Sequence, residues 1–257
     1  MRENIKFAAR ASALHLVVSI LVMIGMASVV FGLWFPYPYR SLASGNQMFW
    51  LVVGVDVVCG PLLTLVLFKP AKSRVELTVD MTMVVGIQLI ALLYGLYSIN
   101  LARPVVVVYE VDRFVAVSKA ELELDSFKDA KDRLNIGWFS RPELLSVRPP
   151  KDGAETIESV ELSLRGLEPS QRPSWWQPYT LGVPEVKQRM RKLSDLRSTS
   201  SVQDQAAIDA AVRSSQVTLQ NVFYLPLTSR KMLDGWIMIL NSEAQPVGYA
   251  EVGGFPK

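Results

Sequence analysis

Three stretches of this chain are almost free of charge, and that limits what it can fold into. Between Arg10 and Arg40 no Asp, Glu, Lys or Arg occurs; between Arg40 and Lys69 there is only Asp56; between Asp80 and Arg103 there is none. Each window holds an apolar run of about 18 residues or more, long enough to cross ~30 Å of hydrocarbon as a helix. The pattern predicts three membrane spans, at about 13–35, 48–68 and 81–101. The chain then divides into an amino-terminal segment 1–12, a three-helix unit 13–103 and a remainder 104–257.

The first span is too long for the ~7–15-residue apolar region of a secretory signal, and no small-x-small cleavage site precedes PYPYR, so it is expected to be retained. Arg2, Lys6 and Arg10 precede it, and Lys69, Lys72 and Arg74 lie between spans two and three, whereas the first connecting loop carries only Arg40. By the bias of short basic flanks toward the cytoplasm, the amino terminus is cytoplasmic and residues 104–257 are exported. Trp34, Phe35, Tyr37, Tyr39, Phe49 and Trp50 gather at the outer boundary, where amphipathic rings settle. The net charge of +3 reflects these orienting residues and is no sign of a nucleic-acid partner.

Residues 104–257 gain charges, prolines and mixed periodicity, and their number fits one domain. RPVVVVYEVDRFVAV reads as one strand or a bent pair. Ser118, with Glu121 three residues on, forms a capping-box pattern that opens a helix through AELELDSFKDAKDRL, followed by a turn at 135–137. WFSRPELLSVRPP reads as an edge strand or irregular connection because of its prolines. Ile157, Val160 and Leu164 have helical spacing, with Gly166 ending that helix. VPEVKQRMRKLSDL predicts a helix with Pro184 at its start, and VQDQAAIDAAVRSS a further one. VTLQNVFYLPL, DGWIMILNS and PVGYAEVGG close the chain as a meander. The fold class is therefore three transmembrane α-helices followed by one α+β periplasmic domain with a mainly antiparallel sheet.

Catalytic signatures are absent from the sequence. The single histidine, His15, lies in span one, the single cysteine, Cys59, lies in span two, and no GxSxG, P-loop, HExxH or CxxC pattern occurs. No metal, cofactor or disulfide is expected in the exported part, and no enzymatic activity. Its carboxylates sit beside Lys or Arg, as in FKDAKDR, which reads as a solvated helix face.

Asp56 is the exception. An acid at mid-membrane depth costs about 2.5–3.5 kcal/mol on insertion scales and faces protein or water rather than lipid. Counting helical rise from the outer boundary places Ser28 and Tyr94 at its level as candidate hydroxyl donors. Pro61 removes a backbone donor and frees the Val57 carbonyl, Gly60 leaves room for a neighbour, and Gln88 can supply an amide to that carbonyl. Three readings stay open: Asp56 ties the three helices together, it docks the charged end of another protein's hydrophobic helix, or it relays a proton, for which a chain of acids and histidines is missing. Gly25, Ser28, Gly32, Gly86 and Gly95 admit close helix contact under either of the first two readings. Asp80 is read as a cap in the first turn of span three, within reach of His15. Trp175 and Trp176, bracketed by prolines, are either an exposed contact loop or rings folded into the core.

VDVVCGPLLTLVLF in span two, QLIALLYGLYSINLARPVVVVYEVDRF at the exit from span three and the early WFPYPY together resemble the type IV pilin accessory proteins, the TfpX/TfpZ/FimB-like group. The resemblance covers about residues 14–115; Asp56, Gly60, Pro61, Arg103, Pro104, Asp112, Arg113 and Phe114 occupy its recurring motifs. It implies a bacterial inner-membrane protein that binds the type IV major pilin, through the pilin's membrane helix and periplasmic head, and promotes its assembly, with other pilus assembly proteins as further candidate partners. A membrane-anchored pilin- or envelope-modifying enzyme and an extracytoplasmic sensor are the rival classes.

Overall fold

Pro36 and Pro38 follow the first apolar run and cannot continue a helix, because each lacks an N–H. In the computed structural model, which describes residues 2–67, 72–122 and 137–256, helix α1 (Arg2–Val29) accordingly ends in a π-helical turn, Val30–Trp34, closed by a bond from the Phe35 amide to the Val30 carbonyl. A short helix α2 (Tyr39–Leu42) precedes α3 (Gly45–Val53), a second π-helical stretch Gly54–Cys59, and α4 (Gly60–Leu67). Helix α5 (Arg74–Ala102) starts from a capping box in which Ser73 and Glu76 satisfy each other's backbone N–H groups. Three helical stretches, Lys6–Trp34, Gly45–Leu67 and Arg74–Ala102, are long and apolar enough to cross a membrane.

The early start of α5 corrects the reading of Asp80. It lies in the second turn, not the first, and pairs with Lys72 rather than His15. Helix α4 packs against both α1 and α5. Nearer the sheet domain, Met23, Met26, Val30, Trp34, Phe35, Phe49, Val52 and Ile99 form a buried apolar cluster. Of the small residues expected at helix contacts, Gly95 does meet a neighbour: a Cβ there would stand 2.7 Å from Val52 Cγ2. Gly25, Gly32 and Gly86 have no such neighbour within 4 Å, because they lie on faces turned away from the bundle.

Arg103 alone separates α5 from strand β1 (Pro104–Glu110), which turns at Val111 and Asp112 into β2 (Arg113–Ser118). From Pro104 to Tyr109 β1 is buried without interruption, as a strand covered on both faces should be. Strands β3 (Glu143–Val147), β4 (Trp176–Pro178), β5 (Arg191–Lys192), β6 (Phe223–Ser229), β7 (Ile237–Leu240) and β8 (Pro246–Ala250) complete a sheet ordered β4-β3-β1-β2-β6-β7-β8, with β5 also on β6. The sheet is mixed: β1 with β3 and β2 with β6 are parallel, and the other pairings are antiparallel. Strand β3 is interior rather than an edge, since Pro142 and Pro149 flank it and leave its own N–H groups free to pair.

Helix α6 (Gly153–Leu164) has the expected period, with Asp152 capping it and Gly166 at φ 84 beyond its end. Its Ile157, Val160 and Leu164 nevertheless face outward. Helix α7 (Tyr179–Arg189) starts well before Pro184, which lies inside it, and Met190 and β5 separate it from α8 (Leu193–Thr199). Helix α9 (Val202–Ser214) follows the Ser201 cap. The Ser118–Glu121 capping box is present and opens one 3-10 turn; the rest of that expected helix, FKDAKDR included, and the start of the 135–137 turn lie outside the described residues.

Three clusters fill the faces of the sheet, one of them formed by Val105, Val106, Val108, Val117, Leu122 and Leu145; the other two carry its helices and the join to the apolar unit. One joins Leu193, Ile208, Val222, Ile237, Ile239 and Val252 beneath α8 and α9. The other gathers Val107, Tyr109, Phe114, Tyr179, Leu225, Leu227 and Trp236, and it includes Tyr39 and Leu42 from between the first two apolar helices. The Ser229 hydroxyl seals this join by donating to the Leu42 carbonyl at 2.7 Å. Leu42→Ala is therefore expected to cost about 2–5 kcal/mol, the usual range for a fully buried leucine. Unfolding of the full chain in detergent would report it; an unmoved midpoint would show that α2 is no part of this core.

Candidate functional site

A proline inside a helix removes one bond and crowds the carbonyl four residues back. Pro61 does this at the start of α4, and the chain widens into the π-helical stretch Gly54–Cys59 immediately before it, a device found often at functional positions. Asp56 lies within that stretch and is 7 % exposed. The Gln88 amide of α5 donates to the Asp56 carbonyl at 3.2 Å and lies 3.5 Å from its carboxylate Oδ1. Gly60 makes that approach feasible: a Cβ there would fall 1.9 Å from Gln88 Nε2. On the other side, the Ser12 hydroxyl of α1 donates to the Pro61 carbonyl at 2.8 Å, and His15 Nδ1 shares a 2.6 Å hydrogen bond with Thr64 Oγ1.

Because α4 lies between α1 and α5, those two helices stand apart over it and form the walls of a groove of about 350 Å³. Leu14, Val18 and Val22 line one wall and Met81, Val85 and Leu92 the other, while Asp56, Thr64, His15, Ser19 and Gln88 put polar atoms along it. The walls are apolar, and Asp56 is the one acidic residue in the lining.

Asp56, Gly60, Pro61 and Gln88 thus converge, whereas Ser28 and Tyr94 do not join them. The Ser28 hydroxyl donates to the Ile24 carbonyl of its own helix at 3.0 Å, and Tyr94 is 71 % exposed on the outer face of α5. Counting rise fixes depth but not azimuth: at about 100° per residue, Ser28 points opposite Ser19 and Tyr94 points well away from Gln88. Gln88 also bonds the carbonyl of Asp56 itself instead of that of Val57. Ser12, Ser19 and Thr64 were missed and His15 was assigned to Asp80, although polar residues spaced three and four apart on one apolar helix, as Ser12, His15 and Ser19 are, mark a facing stripe.

A second constellation lies where the helices meet the sheet. Arg103 is 1 % exposed. Its guanidinium donates to the Ser140 carbonyl at 2.8 Å and the Gly137 carbonyl at 2.5 Å, and stands 5.8 Å from the Trp34 ring. Burial pulls its pKa below the ordinary arginine value. The Trp34 indole donates to the Trp138 carbonyl at 2.6 Å, so both helix ends grip one loop. Pro104 opens β1, and Phe114 is wholly buried between Tyr109 and Tyr179. Asp112 and Arg113 pair at 2.8 Å, and Arg113 lies over Phe255.

Against known proteins, the model of the Fimbrial assembly protein FimB family matches residues 3–44. Two proteins of Dichelobacter nodosus, the fimbrial assembly proteins of serogroups E1 and I, are each 32% identical over 254 residues, covering 99% of this chain and 98% of their own. This chain belongs to the fimbrial assembly protein family. A further Dichelobacter nodosus relative, from serogroups C1 and C2, is 40% identical over 129 residues, which is 50% of this chain and 98% of that protein. No solved structure matches.

In this fimbrial assembly family member Trp175 and Trp176 do not form an exposed contact loop. Trp175 is 7 % exposed between the guanidinium groups of Arg148 and Arg172, and the Trp176 indole donates to the Ser170 carbonyl at 2.9 Å. The bracketing prolines turn the chain back on itself, so that stacking and pairing of β4 with β3 hold both rings. Arg148 also grips Glu155 of α6 through both carboxylate oxygens, at 2.9 and 2.6 Å, which holds that carboxyl down at about 2. Among the described residues no group of three or more His, Cys, Asp or Glu side chains is placed to hold a metal ion.

Proposed function

We propose that the chain is a non-enzymatic accessory factor for type IV pili that binds the major pilin in the bacterial inner membrane and promotes its entry into the fibre. The groove between α1 and α5 receives the pilin's hydrophobic helix, and the sheet domain, on the periplasmic side, faces its globular head. The amino terminus lies in the cytoplasm, in keeping with Arg2, Lys6 and Arg10 before α1. The observation that carries this reading is the buried Asp56 at an apolar groove, in a chain related along nearly its whole length to proteins named for fimbrial assembly. A carboxylate in hydrocarbon needs a donor, and the Gln88 amide is divided between the Asp56 carbonyl and its carboxylate.

Asp56→Asn keeps the size and removes the charge. Losing one charge-assisted hydrogen bond, worth ~1.5–3 kcal/mol, should weaken pilin capture about tenfold or more. Crosslinking of pilin to the detergent-extracted protein measures this, with surface pili and total cellular pilin quantified in the same cells. Fewer pili with pilin and the variant both at normal levels is the expected result. Undiminished capture would remove Asp56 from the docking site.

A further inference from the structure

The loop 137–140 leads into β3 and lies against the ends of the first and third apolar helices, and both of its aromatic side chains are exposed. Trp138 is 56 % exposed and Phe139 is 76 % exposed. Apolar rings at that exposure are costly in water, and here they are held in place. The Arg103 guanidinium fixes the Gly137 and Ser140 carbonyls on either side of them, the Trp34 indole holds the Trp138 carbonyl, and the rings of Trp34 and Trp138 lie 5.8 Å apart.

These anchors also fix the level of the loop. Trp34 is the last residue of the first apolar helix and Arg103 follows the last residue of the third. Trp50 and Tyr97, 65 % and 54 % exposed, lie about 7–8 Å inside the start of α3 and the end of α5 by helical rise. Exposed aromatic rings thus occupy a band about 8 Å deep at this end of the helices, the arrangement that membrane interfaces favour.

We infer that Trp138 and Phe139 insert into the lipid interface and dock the sheet domain on the bilayer through a contact separate from the helices. The partner is the headgroup and upper acyl region of the membrane, since the loop is tethered at the depth where that region begins. The inference rests on reading the three apolar helices as membrane spans. Arg103 and Trp34 act as positioning residues that set the immersion of the loop.

The test is spin-label accessibility in the full chain, reconstituted in vesicles of phosphatidylethanolamine and phosphatidylglycerol, on a Cys59→Ala background that removes the one native thiol. Labels attached through Phe139→Cys, Ile90→Cys and Ile157→Cys are compared for relaxation by oxygen, which concentrates in lipid, and by a water-soluble nickel chelate. All three positions are exposed, so none of the substitutions empties a core. The oxygen-to-nickel ratio at 139 should exceed that at 157 several-fold and fall below or near that at 90, in mid-helix. A ratio at 139 equal to that at 157, with 90 high, overturns the immersion of the loop while leaving the spans intact. A low ratio at 90 overturns the spans and the loop together. A label at 139 that neither reagent reaches also overturns it, since another protein would then cover the loop.

Discussion

Arg103→Leu will lower the unfolding free energy of the protein by about 3–5 kcal/mol, because two charge-assisted hydrogen bonds worth ~1.5–3 kcal/mol each disappear together. Leucine fills part of the volume and cannot satisfy the carbonyls of Gly137 and Ser140, which the guanidinium now holds. Arg103→Lys should recover only part of the loss, since one ammonium cannot reproduce the fork that spans both acceptors. Chemical unfolding of the full chain in detergent, followed by tryptophan emission, separates the three proteins. Coincident midpoints for Arg103→Leu and the unsubstituted chain would mean that this join between helices and sheet contributes nothing to stability.

Gly60→Ala will act through Gln88. The added methyl occupies the space of the amide, 1.9 Å from its nitrogen, and the flexible end of Gln88 must leave. The Asp56 carbonyl and carboxylate then lose that amide, a penalty of about 1–3 kcal/mol for a buried group left unmet. If so, the cost is coupled: in a Gln88→Ala background the donor is already gone, and Gly60→Ala should add little further. Additive midpoint shifts in the four-protein cycle would show that the glycine serves some purpose other than admitting the amide. Under the proposed function, Gly60→Ala should also reduce pilin capture, since it reshapes the surroundings of the carboxylate.

The three apolar helices were legible because their apolar runs are long and uninterrupted. Their limits were less so: the Ser73–Glu76 box starts α5 several residues before the charge-free window begins. Around Asp56, Gly60 and Pro61 follow from their places in the same span and Gln88 from its amide a little deeper in span three, whereas counting depth drew in Ser28 and Tyr94. Which face of α1 and α5 meets α4 is set by packing between the helices and not by depth, and so Ser28 and Tyr94 pointed elsewhere. In the sheet domain the hairpin and final meander follow from local alternation and turn residues. The parallel pairings of β1 with β3 and β2 with β6 arise from crossovers, which no local pattern encodes. Tyr39 was read as part of an interfacial ring and instead fills the core beneath the sheet, a contact set by partners far along the chain.

That last contact bears on how the molecule comes to be folded. Leu42 and Ser229 are 187 positions apart, and the strand that carries Ser229 is synthesised long after α2. Contacts so distant along the chain form late, after the entropy of closing the intervening loop has been overcome. Until β6 is made, Tyr39 and Leu42 have no sheet to cover, and until α2 is in place the sheet keeps an open face. The two apolar helices that flank α2 therefore hold the first part of a core that closes only when β6 reaches it, which makes synthesis of β6 a condition for joining helices and sheet.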